Sequence, residues 1–271
     1  MTEAESPAGV SGVPMALVDA MREIVRTDRL LVALDFDGTL APEVDDPEEA
    51  RATPAARDAV LRLLEMPRTS LALISGRAMR SLERVSDLPA NALLIGSHGI
   101  EVRLSTPDAH STLATSELER VSLLGEVLGK VADSFDRVWL EPKPAGFAMH
   151  SRLASVEDAA AAERVALDVT SAVIDNLTVR SGKNVLEFSV RSTTKGDGIE
   201  RLREHSGATA VFFAGDDVTD EDAFATLRPG DIGLKVGGGK TLAAHRVTGT
   251  DDTARVIALL ADLREAESRS R

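Results

Sequence analysis

The stretch Leu30-Leu31-Val32-Ala33-Leu34-Asp35-Phe36-Asp37-Gly38-Thr39-Leu40 constrains this chain more than any other. Five apolar residues of strand length end at a carboxylate, a second carboxylate follows two positions on, and Gly38 then lets the chain turn. If extended geometry persists through Asp37, the period of two puts Asp35 and Asp37 on one side of the backbone, at the strand's carboxyl end. That is where ligands bind in an open α/β sheet. Two clustered carboxylates repel, so a dication between them is the obvious remedy, and oxygen donors near a phosphate suit Mg²⁺. A loop with two solvated acids is the plain alternative for a lone Asp-x-Asp. An EF-hand is excluded: its glycine belongs at loop position six, which counted from Asp35 is Leu40.

The rest of the chain repeats a β-α rhythm around that strand. A helix over 14–27, with Met15, Val18, Met21, Ile24 and Val25 as its apolar stripe, precedes it. An acidic loop, 42–50, follows. Thr53-Pro54 reads as N-cap and first residue of a second helix, whose buried face is Val60, Leu61, Leu63 and Leu64. A second strand, Leu71 to Ile74, ends at Ser75-Gly76-Arg77; a helix near 78–86 and a strand over 92–95 complete a series typical of a parallel sheet. The rhythm then changes. Helices near 115–131 and 156–174 alternate with paired short strands, 137–140 with 146–150 and 177–180 with 184–190, which predicts an antiparallel sheet covered on one face. From Lys195 the first rhythm returns: a helix to about 205, strand 210–214 ending at Gly215-Asp216-Asp217, a helix near 220–228, strand 232–236 and a closing helix over 252–264. The expected organisation is a disordered tail over 1–13, a core from 14–104 and 193–271, and an insert of 105–192.

Composition narrows the chemistry. With no cysteine, disulfides, zinc-thiolate sites and thiol nucleophiles are excluded, and a reducing compartment is permitted. The acidic N-terminus lacks the basic-then-apolar order of a signal peptide, and no run of about 18 apolar residues exists, so a cytoplasmic protein without membrane contact is expected. A net charge of −13 argues against a nucleic-acid partner. A small anionic substrate would require positive charge concentrated locally.

Three strands thus end in polar residues that one reaction can use together: Asp35 and Asp37, then Ser75, then Asp216 and Asp217. Lys195 opens a helix, where its charge and the helix amides both suit an anion. Taken in this order, these residues resemble the four motifs of the haloacid dehalogenase superfamily of phosphotransferases. The resemblance implies a Rossmann-like parallel-sheet α/β core with an inserted α+β cap domain. It also implies that Asp35 is the nucleophile, Asp37 a general acid and base, Ser75 a donor to a phosphoryl oxygen, and Lys195 a neutralising charge. Mg²⁺ would be held by Asp35, the Asp37 carbonyl and Asp216, with Asp217 and Asp220 reaching it through water. The remaining acids of Gly215-Asp216-Asp217-Val218-Thr219-Asp220-Glu221-Asp222, Glu221 and Asp222, read as a solvated helix N-terminus.

The same eight residues, with Ile74-Ser75-Gly76-Arg77 and Ser97-His98-Gly99-Ile100-Glu101, resemble the trehalose-6-phosphate phosphatases more closely. This likeness implies hydrolysis of a phosphorylated disaccharide, with Gly76, Arg77, His98, Gly99 and Glu101 lining the substrate and the insert closing over the sugar. Within the insert it marks Glu141 and Lys143, then His150 and Arg152, then Lys183 and Glu187 as sugar contacts. Alternating acid and base suits hydroxyls that both donate and accept. Ordinary surface ion pairing is the alternative. Two positions depart from the pattern: Pro142 and Pro144 flank Lys143, and Phe147 stands where a smaller polar residue is expected. His110, His205 and His245 read as surface or packing residues, and Trp139 as packing. The expected partner is a small sugar phosphate, and the expected state a monomer. Rival readings are a phosphatase of sucrose phosphate or mannosyl-phosphoglycerate, a phosphomutase, or a catalytically silent sugar-phosphate-binding domain. The last would normally have lost the nucleophile or the metal aspartate, and Asp35, Asp37, Lys195 and Asp216 are all present.

Overall fold

The computed structural model describes residues 12–104, 113–182 and 184–270. Most of the expected tail, the start of the insert with His110, and Lys183 lie outside them. Val13, expected in the tail, is buried against the core. The chain forms two compact units, one from residues up to 104 and from 194 onward, the other from residues 113–193.

The first unit opens with α1 (Met15–Ile24), β1 (Leu30–Leu34), α2 (Pro54–Leu64), β2 (Thr69–Ile74), α3 (Met79–Ser86), β3 (Leu93–Gly96) and β4 (Glu101–Arg103). The second unit follows with α4 (Thr115–Asp133), β5 (Trp139–Lys143), β6 (Gly146–His150), α5 (Val156–Val173), β7 (Thr178–Gly182) and β8 (Val185–Ser189). The first then resumes with α6 (Lys195–Ser206), β9 (Ala210–Gly215), α7 (Asp220–Ala225), β10 (Ile232–Val236), β11 (His245–Val247) and α8 (Thr250–Ser270).

In the first unit seven strands run in the order β11-β10-β9-β1-β2-β3-β4, parallel except for β4, which is antiparallel to β3. Alternation divides β1 between two cores. Leu30, Val32 and Leu34 pack with Leu71, Leu73 and Phe212 among residues of α1, α2 and α8. Leu31 and Ala33 pack with Ala72, Ile74, Val211 and Phe213 among residues of α6 and α7. A strand apolar at every position is what burial on both faces demands. The register levels the strand ends: Leu34 pairs with Leu73 of β2 and Ala214 of β9. Asp35 therefore leaves the sheet one residue past that level, and Ser75 and Asp216 two residues past it.

In the second unit an antiparallel sheet, β5-β6-β8-β7, packs one face through Met149, Leu186 and Phe188 onto Leu124 and Leu128 of α4 and Ala162 and Ala166 of α5. The pairings Trp139 with His150, Glu141 with Ala148 and Ala148 with Glu187 put Trp139, Glu141, Lys143, His150 and Glu187 on the opposite face. The first strand here runs over 139–143, later than the expected 137–140, because Arg137 takes a left-handed φ of 57° in the preceding turn. Pro142 falls within it and is tolerated because β5 is an edge strand. The three-residue strands β4 and β11 were not anticipated, and α8 runs to Ser270, beyond the expected end at 264.

Candidate active site

The carboxyl ends of β1, β2 and β9 gather the acidic and basic groups. Lys195 is the first residue of α6, a position fixed by a capping box in which Thr194 Oγ1 accepts from the Asp197 N–H and Asp197 Oδ2 accepts from the Thr194 N–H. Its ammonium is 2% exposed and lies 2.9 Å from Asp35 Oδ2 and 2.7 Å from Asp220 Oδ1. Asp220 begins α7, is fully buried, and accepts the Asp217 N–H on its other oxygen at 2.8 Å. Asp35 Oδ1 accepts the Phe36 N–H at 2.7 Å. Asp216 accepts from Thr39 Oγ1 at 3.2 Å and lies against Gly38, whose φ of 69° suits glycine; a Cβ there would stand 2.1 Å from Asp216 Oδ2.

Burial dominates the electrostatics. It raises Asp35, against the opposing Lys195 ammonium and with help from the Asp220 and Asp216 charges, to about 8. Asp216 is lifted to about 6, again by burial first and then by Asp220. Burial pulls Lys195 down, but the charges of Asp35 and Asp220 outweigh it and hold the ammonium above its usual range. Asp35, Asp216 and Asp220 each present an oxygen within 4.8 Å of the others. Carboxylates this crowded, two of them pushed toward the protonated form and all three hard oxygen donors, fit a divalent cation, and the cluster can hold a metal ion.

Asp37 takes a different partner. Arg77 Nε and Nη2 donate to its two oxygens, each at 2.6 Å, in a fork-on-fork pair. Ser75, buried beneath, accepts the Arg77 N–H on Oγ at 3.1 Å. The His98 ring lies over Gly76, where a Cβ would come within 2.7 Å of Cε1 and Nε2. Ser97 and His98 both carry a left-handed φ, 49° and 53°, a strain of about 1 kcal/mol or more apiece. The turn, which continues through Gly99, is held by Ser97 N–H to Arg77 O at 2.7 Å and His98 N–H to Ser75 O at 3.1 Å. Glu101 completes it: one carboxylate oxygen accepts from the Met79 N–H at 2.7 Å and from Ser97 Oγ at 2.8 Å. Asp217 stands apart from the acidic cluster, exposed, with its carbonyl and that of Asp216 accepting from Lys235 Nζ.

In the second unit, Glu141 accepts from Lys143 Nζ at 2.7 Å on one oxygen and contacts His150 Nε2 at 2.9 Å on the other. The Trp139 and His150 rings stack with centroids 5.0 Å apart, and Arg152 lies 5.5 Å from the Trp139 centroid. Trp139 thus packs, as expected, within this unit, against a candidate residue. Glu187 shares the same sheet face.

Two buried groups have a larger part here than the motifs indicate: Asp220, expected only to reach a metal through water, pairs with Lys195, and Lys235 was not among the expected site residues. Asp220 was one acid among five, and its sign lay in starting a helix four residues after Asp216. Lys235 is 3% exposed, and its signal was a lone cation inside the apolar strand Ile232–Val236.

Comparison with known proteins fits this geometry. The trehalose-phosphatase family model matches residues 33–259. The chain is 34% identical over 253 residues to a trehalose-phosphate phosphatase of Mycobacterium avium, covering 89% of this chain and 61% of that protein. It is 32% identical over 229 residues to the trehalose-6-phosphate phosphatase of Escherichia coli, covering 80% of this chain and 81% of that one. A structure of Aspergillus fumigatus trehalose-6-phosphate phosphatase superimposes with a TM-score of 0.70 at 25% identity over 91% of this chain and 97% of that one. The fold is that of the haloacid dehalogenase superfamily, a mostly parallel α/β core with an α+β insert. The chain spans 61% to 65% of the length of the mycobacterial relatives it matches. With the match running through both units and nearly the whole chain, the protein belongs to the trehalose-phosphatase family.

Proposed function

We propose that the protein is a Mg²⁺-dependent phosphatase that converts trehalose 6-phosphate to trehalose and phosphate, serving trehalose biosynthesis. The observation that carries this reading is the buried Lys195 ammonium bridging Asp35 and Asp220 at the end of β1, beside Asp216, in a chain of this family. Asp35 is the nucleophile: its carboxylate oxygen attacks phosphorus, the bond from phosphorus to the sugar oxygen breaks, and an aspartyl-phosphate forms. Lys195 holds that carboxylate in place and neutralises charge on the transferring group. Ser75 donates to a phosphoryl oxygen. Asp37, carrying a proton, gives it to the leaving sugar oxygen and later takes one from the water that hydrolyses the intermediate.

Asp35, Asp216 and the Asp37 carbonyl would hold the cation, since Asp220 commits one oxygen to Lys195 and the other to the Asp217 N–H; exposed Asp217 would act through water. When bound, Mg²⁺ supplies screening between the Asp35 carboxylate and the phosphate dianion. Gly76, His98 and Gly99 form the turn beside Ser75, with Glu101 fixing its shape. On the second unit, Glu141, Lys143, His150, Arg152 and Glu187, together with Lys183, recognise sugar hydroxyls. No helix among the described residues is long and apolar enough to cross a membrane.

The test is phosphate release from trehalose 6-phosphate with and without Mg²⁺, beside a panel of other sugar phosphates and Asp35→Asn. Metal-dependent turnover that falls at least about 10⁴-fold in the variant supports the reading. A much higher kcat/KM on another sugar phosphate overturns the substrate. Silence of the folded protein across the panel overturns the activity and points to a binding domain.

A further inference from the structure

We infer that Glu48 and Ser81 are positioning residues for protonation of the leaving group, acting through Arg77 on Asp37; the inference rests on the phosphatase reading above. Arg77 is the hinge of the argument. Its fork donates twice to Asp37, its Cζ lies 5.8 Å from the Phe36 ring centroid, and its remaining nitrogen, Nη1, donates to Ser81 Oγ at 3.2 Å. Ser81 Oγ in turn donates to Glu48 Oε1 at 2.8 Å, and Glu48 Oε2 lies 2.7 Å from Arg84 Nη1. A hydroxyl can accept and donate at once, so Ser81 joins cation to carboxylate with its single proton committed.

The links join two separate pieces of chain. Ser81 and Arg84 lie three residues apart on one face of α3, Arg77 just precedes that helix, and Glu48 lies on a single helical turn, Pro47–Glu49, in the connection from β1 to α2. That turn is itself anchored, by Asp46 Oδ1 accepting the Glu48 N–H at 2.9 Å and by Arg51 Nη1 donating to Glu48 O at 2.8 Å. Arg77 is only 10% exposed, so its orientation is set by these partners more than by water.

A guanidinium is a rigid planar fork, and fixing the nitrogen that does not touch Asp37 fixes the plane in which the other two present themselves. The orientation matters because the group that protonates the leaving oxygen must stand within hydrogen-bond reach of it. Once the proton has passed from the Asp37 carboxyl to the sugar oxygen, Asp37 is a carboxylate, and Arg77 is placed to receive it in the arrangement seen here. Loss of Glu48 or Ser81 leaves the fork free to turn about its Asp37 contact. Displacements of about 1 Å in such a site cost on the order of 10²-fold.

The leaving group separates this role from a merely structural one. A sugar alkoxide or phenolate needs the proton, whereas a dinitrophenolate departs without it. The experiment measures kcat/KM, which reports the steps up to leaving-group departure, for a series of aryl phosphates from dinitrophenyl to phenyl phosphate with Mg²⁺ present. Wild type is compared with Glu48→Ala, Ser81→Ala and Ser81→Thr, each checked for an unchanged melting curve. The expected result is a loss of about 10- to 100-fold on phenyl phosphate in the two alanine variants, a change below about threefold on dinitrophenyl phosphate, and recovery in Ser81→Thr, which keeps the hydroxyl. Equal losses along the series, or no loss at all, overturn the inference while leaving the phosphatase reading intact. A folded wild type that hydrolyses neither aryl nor sugar phosphates overturns both.

Discussion

The two units hold their polar residues in opposite ways. In the first, Lys195, Asp35 and Asp220 are almost wholly enclosed, and every oxygen of Asp35 and Asp220 has a donor within hydrogen-bond reach. In the second, Glu141 is 48% exposed, and its partners Lys143 and His150 lie on the open face of a four-stranded sheet. Burial strengthens each interaction in the first group and makes any unpaired member expensive. Exposure keeps the second group adaptable and close to energetically neutral. Chemistry that must meet phosphorus at one geometry suits the first arrangement, and recognition of a flexible, hydroxyl-rich ligand suits the second.

Removing a charge from each side sharpens that contrast. Of the changes that test this contrast, Lys195→Met should have the largest effect. It leaves two buried carboxylates uncompensated, which costs about 3–5 kcal/mol of stability, and it removes the charge beside the proposed nucleophile, so kcat should fall by at least about 10³-fold. Urea unfolding and phosphate release measure the two losses separately. A folded Lys195→Met protein retaining a tenth of wild-type activity would break the assignment.

Glu141→Gln is the matching change in the second unit. It removes partly exposed pairs worth about 0.2–1 kcal/mol, so the melting temperature moves little. The expected effect is instead on substrate affinity: KM for trehalose 6-phosphate rises about 10-fold, with kcat within about threefold. Steady-state kinetics with the sugar phosphate and with an aryl phosphate tests this, because a residue that reads the sugar leaves the aryl substrate untouched. An equal rise in KM for both substrates would remove Glu141 from sugar recognition.

The same contrast explains what could be read from the sequence. Strand β1 and the alignment of strand ends that gathers Asp35, Ser75 and Asp216 were legible because a buried parallel strand must be apolar throughout. Lys195 was legible because it opens the helix at which the β-α rhythm returns after the insert. The pairing of Asp37 with Arg77 was not, since no local pattern links residues 40 apart. The pairing of Asp220 with Lys195 was obscured by its acidic neighbours, because acids collect at helix starts whether or not they have a task. The strands β4 and β11 are three residues each, too short to show a period. The last turns of α8, Glu265 to Ser270, carry no apolar stripe for a pattern to follow. The exposed face of the second unit was the least legible, because alternation tells which residues share a face but not which pair with one another.

The second unit also contains one exception to its own rule, and pH exposes it. Glu117, in the first turn of α4, accepts from Arg191 Nε at 2.7 Å and Arg191 Nη2 at 2.8 Å, and from the Ala114 N–H at 2.7 Å. The guanidinium first, then the backbone donor, hold this carboxyl down at about 2, well below the 4.5 of a free glutamate. A depressed carboxylate contributes stability that is present in full above its unfolded pKa and is lost as the pH falls through that value toward the folded one. The window is therefore roughly pH 5 to 2. Because both side chains retain some contact with water, the contribution at pH 7 is taken as about 1 kcal/mol, the upper end for a surface pair with bidentate geometry. Glu117→Gln keeps the shape and removes the charge. The stability difference between wild type and Glu117→Gln, measured by urea unfolding, should be about 1 kcal/mol at pH 7 and shrink progressively below pH 5. A difference that stays constant with pH would mean that the ionised Glu117–Arg191 pair contributes no stability of its own, and that any effect of the substitution comes from packing and neutral contacts.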